Sequence, residues 1–229
     1  MLFCQCKTGN AMIINLSENN SIVSEWLSEI RDEKVQQDRM RFRRNLARVG
    51  EVAAYEISKS LKYTEKEVET PLGSANCKVF KEQPVLGTIL RAGLALHEGL
   101  VNYFDKADHA YISAYRKHKR DGTFEISLEY VSCPPLDDKV LILSDPMLAT
   151  GASLVTTIEQ LIEFGKPAHI HIVTAIACTV GIEYVQRNID ATTISIWAGD
   201  IDDELTAKGY IVPGLGDAGD LAFGTKVQQ

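Results

Sequence analysis

The segment KVLILSDPMLATGASLVTTIEQLIEFG, residues 139–165, decides the fold. It begins with a continuous apolar run, which predicts a buried strand, and an acidic residue, Asp145, stands at the end of that strand. A turn of small residues follows, and the rest of the segment predicts a helix that opens at residues 150–153. A buried strand that feeds a helix through a short turn is the basic unit of α/β proteins with parallel sheets.

The turn of this segment has the chemistry of a phosphate site. The first N–H groups of a helix are free and lie at the positive end of its dipole, and the hydroxyls of Thr150 and Ser153 add donors. Gly151 lets the backbone approach a ligand closely, and Asp145 can accept from sugar hydroxyls beside the phosphate. The segment is not a Walker loop, because it lacks the Gly-Lys-Ser/Thr ending. The alternative is a capped helix after a core strand, with no ligand.

The flanking sequence repeats the pattern of apolar strands followed by helices. Three further runs, VLGTIL (85–90), AYISAY (110–115) and HIHIVTAIAC (169–178), predict strands of one parallel sheet covered on both faces. Apolar residues at helical spacing predict two N-terminal helices, one from Ile22 to Ile30 and one from Phe42 to Ile57.

Two hairpins and one domain complete the predicted organisation. Residues 62–80 predict a small peripheral hairpin, and residues 115–131 predict a β-hairpin flap. We expect residues 1–229 to form a single domain, with residues 1–11 as a non-essential extension and Met12 as a natural translation start.

Composition narrows the function classes. The 229 residues are 45% hydrophobic and 24% charged, with a net charge of −7, which disfavours disorder and a basic nucleic-acid surface. No apolar run is long enough to span a bilayer and no signal peptide is evident, so we expect a cytoplasmic protein without a membrane partner. The five cysteines lack zinc or disulfide spacing and predict reduced thiols. The arginines between residues 39 and 48 suggest RNA binding or, more simply, a solvated or intersubunit helix face.

The stretch GYIVPGLGDAGDLAFGTK, residues 209–226, is the second strong signal. Gly214, Gly216 and Gly219 have the spacing of a dinucleotide-binding fingerprint, but only ten residues follow Gly219, too few for the required βαβ unit. A glycine-rich loop with Asp217 in its middle suits backbone recognition of a flat ligand. The alternative is a plain surface turn.

Together these motifs resemble the uracil phosphoribosyltransferase family, with RFRRNLARVG, ILRAGL, YR, DPMLATGAS and YIVPGLGDAGDLAFGTK in the family order. The resemblance implies the type I phosphoribosyltransferase fold, a parallel sheet flanked by helices, with a small hood built from N-terminal elements and the C-terminal loop. Two positions depart from related patterns. Pro146 replaces the second acidic residue of other type I enzymes, as uracil enzymes do, and Ala152 stands where the family often has glycine.

The resemblance also implies a reaction, the transfer of the phosphoribosyl group of phosphoribosyl diphosphate (PRPP) to uracil, giving UMP and pyrophosphate. The implied PRPP site comprises Arg91, Arg116, Asp145, Pro146, Met147, Leu148, Ala149, Thr150, Gly151, Ala152, Ser153 and Asp217. The implied uracil site comprises Ile211, Gly216, Asp217 and Ala218. Arg91, Arg116 and Asp217 are the implied catalytic residues, with Mg²⁺ held mainly by the diphosphate and Asp217 as a further ligand.

Several alternatives stay open at this level. Arg91 can instead cap a loop, and Arg116 can be a solvated charge within the flap. The base that removes the N1 proton of uracil is undecided, as is activation by GTP, and the resemblance implies a homodimer or a higher homo-oligomer. A pyrimidine-responsive RNA-binding regulator and an inactive uracil or UMP sensor are the rival functions.

Overall fold

The computed structural model describes residues 11–118 and 124–226. In chain order its elements are β1 (Met12–Asn15), α1 (Ile22–Arg31), α2 (Arg39–Ser58), β2 (Tyr63–Thr70), β3 (Gly73–Phe80), β4 (Val85–Leu90), α3 (Leu94–Val101), β5 (Asp108–His118), β6 (Phe124–Ser132), β7 (Val140–Ser144), β8 (Met147–Leu148), α4 (Ala152–Ile162), β9 (His169–Cys178), α5 (Thr179–Asn188), β10 (Ile194–Asp202), β11 (Glu204–Leu205), β12 (Ile211–Val212) and α6 (Ala218–Phe223).

The central sheet has the strand order β1-β10-β9-β7-β4-β5-β6, and the short strand β8 adds to β9. Every pair in this sheet is parallel except β5 with β6, which is antiparallel. The strands predicted at residues 85–90, 110–115, 140–144 and 169–178 all lie in it. The predicted α/β fold with a parallel sheet is therefore confirmed.

Helices cover both faces of the sheet, which explains the continuous apolar strands: alternate residues of one strand enter two different cores. On one face, α1, α2 and α3 pack over Leu86, Ile142 and Trp197, and all three side chains are buried. On the other face, α4 and α5 cover Leu143 and Ile172. Both N-terminal helices predicted from the apolar spacing are present.

Several arginines of helix α2 pair with side chains of neighbouring residues. Arg41 binds Glu29 through Nε and Nη2 (2.8 and 2.7 Å), and its hydrogen bonds with those of Asn45 hold the pKa of Glu29 at about 2. Arg44 pairs with Glu51 at 3.1 Å, and Arg48 lies 5.5 Å from the ring centroid of Trp26. Arg41 and Arg44 are still 52% exposed, so this is a solvated helix face whose charges are partly paired, and its contacts give no support to RNA binding.

Two antiparallel hairpins leave the parallel core. Strands β2 and β3 pair along their full length, from Tyr63 with Phe80 to Thr70 with Gly73, and almost all their side chains are exposed. Strands β5 and β6 form the second hairpin, whose register shifts between Ser113 and Ala114. Of the predicted flap, residues 119–123 lie outside the described residues.

Strands β1 and β10 were not predicted from the sequence. They pair with each other in parallel, from Met12 with Ser195 to Asn15 with Ala198, and form one edge of the sheet. Of the expected N-terminal extension, only Ala11 is described, and its side chain is buried. In the described part of the chain, no helix combines the length and the apolar character needed to cross a membrane.

Candidate active site

A cavity of about 810 Å³ lies at the carboxyl ends of the parallel strands. This volume is typical of small-molecule sites. Three segments that are distant in sequence line it: residues 89–92 at the end of β4 and just after it, residues 145–151 with 153 and 154 after β7, and residues 205–211 with 216–219 after β10, together with Lys226. The carboxyl edge of an open parallel sheet is where such folds bind their ligands.

The turn between β7 and α4 is fixed by the neighbouring strand β9. The Pro146 carbonyl accepts from the N–H groups of Ala175 and Ile176, both at 3.1 Å, and the Leu148 N–H donates to Thr174 Oγ1 at 3.2 Å. These bonds anchor the turn before it reaches Gly151. Residues 145–151 therefore line the cavity with a defined backbone path.

Gly151 has a φ of 80° and begins α4 as its N-cap. A Cβ atom there would lie 2.7 Å from the carbonyl oxygen of Gly181 on α5, so glycine is needed both for its backbone angle and for its close packing. The cap provides no side-chain acceptor, and Thr150 Oγ1 accepts only a long bond (3.4 Å) from the Ala152 N–H. The first turn of α4 thus retains donor capacity for an anion.

Asp145 stands at the tip of β7 and lines the same cavity. Its N–H donates to the Val173 carbonyl at 3.0 Å, and its carboxylate accepts from the Met147 N–H at 3.5 Å. The buried Ser144 before it donates to the Gly87 carbonyl at 3.1 Å. Both flanking strands therefore hold the backbone that carries this carboxylate.

Arg91 connects two sides of the cavity. Its Nη2 binds Asp220 Oδ1 at 2.6 Å, and each side chain is about one-third exposed (32% and 34%). Its Nε is buried without a hydrogen-bond partner among the described residues. Arg91 thus binds a carboxylate of the C-terminal loop rather than capping its own turn, and this ion pair places a guanidinium group at the cavity wall.

The C-terminal loop turns sharply at Gly214 and Gly216, whose φ angles are 57° and 94°. Asp217 then caps α6, because its carboxylate accepts from the Asp220 N–H at 3.0 Å. The G-x-G-x-x-G motif therefore does open a helix, of six residues, although no strand of a βαβ unit follows it in the described chain, which ends at residue 226. Gly216, Asp217 and Ala218 line the same cavity as the turn at Gly151.

The sequence of residues 17–225 matches the family model described as uracil phosphoribosyltransferase. The chain belongs to the uracil phosphoribosyltransferase family. A uracil phosphoribosyltransferase from Porphyromonas gingivalis is 48% identical over 215 residues, covering 94% of this chain and 99% of the relative. One from Methanothermobacter thermautotrophicus is 41% identical over 219 residues, covering 94% and 97%. The solved structure of the AQ2163 protein from Aquifex aeolicus has a TM-score of 0.83 at 30% identity, covering 95% of this chain and 100% of that one.

Most residues that the family resemblance implied do surround the one cavity. Those that line it are Arg91, Asp145, Pro146, Met147, Leu148, Ala149, Thr150, Gly151, Ser153, Ile211, Gly216, Asp217 and Ala218. Ala152 does not line it. Arg116 lies on β5, where its backbone pairs with Ile126, and its side chain is outside the described residues.

Some parts of this uracil phosphoribosyltransferase site were missed from the sequence. Residues 205–210, at the end of β11 and in its connection to β12, line the cavity, as does Lys226, and Asp220 binds Arg91. Asp220 and Lys226 belong to the C-terminal motif, which was the available signal. Residues 205–208 carry no motif, and they are brought to the site by the pairing of β11 with β12.

Proposed function

We propose that this chain transfers the 5-phosphoribosyl group of PRPP to uracil, which forms UMP and pyrophosphate. The proposal rests mainly on one observation, that three segments line the same cavity: residues 145–153, which we name the phosphate turn, Arg91 after β4, and the glycine-rich loop before α6. Membership of the family gives the same reaction. The first function expected from the sequence is therefore the one that the site supports best.

The phosphate turn is our assignment for the 5-phosphate and the ribose. The N-terminus of α4, with Thr150 and Ser153 beside it, offers donors to the phosphate, and a helix N-terminus favours negative charge. Asp145 offers acceptors to the ribose hydroxyls at the adjoining strand tip. Arg91, and Arg116 on the hairpin, are our assignment for the diphosphate, because guanidinium forks match phosphate oxygens.

The reaction builds positive charge at the ribose C1′ and negative charge on the leaving diphosphate. Fixed donors at the leaving group lower the barrier, because they act on charge that grows in the transition state. Arg91 can contribute in this way, since it already lies at the wall between the phosphate turn and the C-terminal loop. Asp217, which is exposed at the cavity, is our candidate for orienting or accepting the N1 proton of uracil.

Phosphoribosyltransferases generally use Mg²⁺ with PRPP, and the donors here fit an ion that binds mainly to substrate. In residues 11–118 and 124–226, no group of three or more His, Cys, Asp and Glu side chains is arranged to hold a metal. Mg²⁺ commonly binds through one or two carboxylates plus substrate phosphates, and Asp217 is the carboxylate we assign to it. When bound, the ion neutralises charge on the diphosphate.

Residues 211–222, which we name the base loop, are our assignment for uracil. Backbone groups of Gly216 to Ala218 can donate an N–H to the uracil O4 and accept from N3–H. Ile211, buried beside them, supplies an apolar wall. Cytosine has the reverse donor and acceptor pattern at both positions, so such a loop rejects it.

The decisive experiment incubates the protein with PRPP, Mg²⁺ and one base at a time: uracil, cytosine, hypoxanthine or orotate. Pyrophosphate release is followed in each mixture. We expect release with uracil alone. Absence of release with every base would refute the proposal, and release with a purine would change the substrate class.

We also propose a homodimer or a larger homo-oligomer, on the basis of the β2–β3 hairpin. An isolated two-stranded hairpin is marginal in water, and this one exposes side chains on both faces, including Leu72, which is 100% exposed at its tip. Contact with a second copy would stabilise it. Light scattering of the purified protein, with and without residues 66–77 replaced by a short turn, tests this: loss of the oligomer is expected, and a monomer in both proteins contradicts it.

The cysteines that the structure describes support a reducing compartment. Cys77, Cys133 and Cys178 are all free thiols. A cytoplasmic location, in which thiols are kept reduced, is our proposal for this protein.

A further inference from the structure

The base loop is held by side chains from the N-terminal part of the chain. The Gly214 carbonyl accepts from Arg31 Nη1 at 3.0 Å, and the Ala222 carbonyl accepts from Arg43 Nη1 at 2.7 Å. Between them, the Leu215 carbonyl accepts from the side-chain amide of Gln36 at 2.9 Å, in the amide orientation that satisfies both of its polar atoms. The residues that face the cavity, 216–219, lie between these fixed points.

Arg31 makes the most extensive of these contacts. Its two terminal nitrogens bind the two carboxylate oxygens of Asp202, each at 2.8 Å, and Nη2 also binds Asp200 at 2.8 Å. The same Asp202 carboxylate accepts from the Gly214 N–H at 2.9 Å. The N–H and the carbonyl of Gly214 are therefore both hydrogen-bonded to the same Arg31–Asp202 ion pair.

This ion pair is shielded from water: the side chains of Arg31 and Asp202 are 20% and 7% exposed. Burial acts to lower the pKa of Arg31, but the hydrogen bonds to Asp202 and Asp200 outweigh it and raise the pKa, so the guanidinium stays charged. A buried ion pair adds little net stability as a rule, yet a planar bidentate fork fixes geometry closely. Gly214 is also confined locally, because its φ is positive and a side chain there would overlap the Ile211 carbonyl.

We propose that Arg31 is a positioning residue for the nucleobase. Arg31 does not line the cavity, but it fixes the Gly214 peptide two residues before the backbone groups assigned to uracil. Its loss would change the direction of those groups while leaving the phosphate turn, which hydrogen bonds to β9 hold, in place. This inference rests on the proposed function, because it concerns the recognition of uracil by that same loop.

The test compares Arg31→Met with Arg41→Met. Methionine keeps an apolar stem and removes the fork in both, and Arg41 has a bidentate partner of its own, Glu29 on α1, but no described bond to the base loop. For Arg31→Met we expect the KM for uracil to rise roughly 10- to 100-fold, because misplacement of about 1 Å has costs of this order. The KM for PRPP should be unchanged, the preference for uracil over cytosine should fall, and added guanidinium ion should partly restore the uracil KM. Arg41→Met should change neither KM.

Two further variants keep the proposal open to refutation. Arg31→Lys retains a charge without the fork, so its uracil KM should lie between those of the wild type and Arg31→Met. Asp202→Asn cannot accept both bonds of the guanidinium fork, so its KM for uracil should rise by a smaller factor while its KM for PRPP stays unchanged. This variant decides the question if Arg31→Met does not fold. Equal rises in both KM values, or the same result in Arg31→Met and Arg41→Met, would overturn the proposal. A wild-type protein inactive with uracil would instead refute the proposed function.

Discussion

The glycine at the start of α4 allows the sharpest test of the phosphate turn. In Gly151→Ala, the new methyl group occupies a backbone with a φ of 80°, which costs an ordinary L-residue roughly 1–2 kcal/mol. The methyl carbon would also stand 2.7 Å from the Gly181 carbonyl oxygen, whereas ordinary contact begins at 3.4 Å, so the turn or α5 must move by about 0.7 Å. Val185 Cγ2, at 3.3 Å, and Tyr184 Cδ1, at 3.2 Å, restrict that movement from α5.

A displacement of this size falls on the donors assigned to the 5-phosphate. We therefore expect the KM for PRPP in Gly151→Ala to rise roughly 10- to 100-fold, with little change in the KM for uracil. Steady-state pyrophosphate release at varied PRPP and uracil measures both constants. The melting temperature should also fall, by about 2–4 °C for each kcal/mol lost in a chain of this length.

The matched control is Gly165→Ala, after the other end of α4. Gly165 also has a positive φ, 129°, and a Cβ atom there would meet the Asp137 backbone nitrogen at 2.6 Å, but neither residue lines the cavity. The control should lose stability while keeping its PRPP kinetics. If Gly151→Ala loses stability like the control and binds PRPP like the wild type, the phosphate assignment is wrong.

Four other perturbations address the remaining assignments. Asp145→Asn should lower turnover at limiting PRPP while changing the melting temperature little, since one hydrogen bond to a charged group is worth roughly 1.5–3 kcal/mol. Unchanged PRPP kinetics would count against the ribose assignment. Ala218→Ser should retain most uracil activity, whereas Ala218→Pro should lose it because proline has no backbone donor. Ala218→Pro must first be shown to fold and to bind PRPP. A normal preference for uracil in that folded variant would mean that other residues recognise the base. Excess chelator should abolish turnover, and full activity in its presence would remove the metal from the reaction. Burial and the neighbouring His109 lower the pKa of His97 to about 4, so the folded protein binds fewer protons at this residue than the unfolded chain between pH 6.5 and 4. The free energy of unfolding should therefore fall as the pH falls through that window. Chemical denaturation should show a weaker pH dependence of stability in His97→Gln, and an unaltered pH dependence would assign the effect to other groups.

The sequence predicted the parts of the fold whose signals are local. The segment 139–165 contains a complete strand, a turn with a glycine of positive φ, and an amphipathic helix. Its hydrophobic pattern and its turn residues therefore predict the same local structure. The same holds for α1 and α2, where apolar spacing matches the buried faces. The hairpin of β2 and β3 was predictable from its central turn and the β-type residues on either side.

What the sequence could not predict depends on distant partners. Strand β1 has four residues, two of them exposed, and exists because β10 offers it an edge from 180 residues away along the chain or more. Asp220 belongs to the site because Arg91, separated from it by 129 positions, lies beside it. The wall at residues 205–210 likewise needs β11 and β12 to pair. Strand β1 and residues 205–208 have no periodicity or motif of their own, and the C-terminal motif that contains Asp220 does not show which residue Asp220 binds.

The contacts between Arg31, Gln36 and Arg43 and the base loop bear on how the protein is made. A ribosome delivers α1 and α2 early, but the carbonyl groups they bind emerge only after residues 214–222 have been synthesised. Strand β1 is likewise synthesised long before β10, the strand with which it pairs. Until β10 and the base loop have emerged, the apolar face of α1 and strand β1 lack part of their cover, and such unpaired surfaces in nascent chains invite aggregation and chaperone binding. On the assignments proposed above, the nascent chain can form its phosphate turn while it is still being translated, but recognition of the nucleobase has to wait until the base loop has folded back onto α1 and α2.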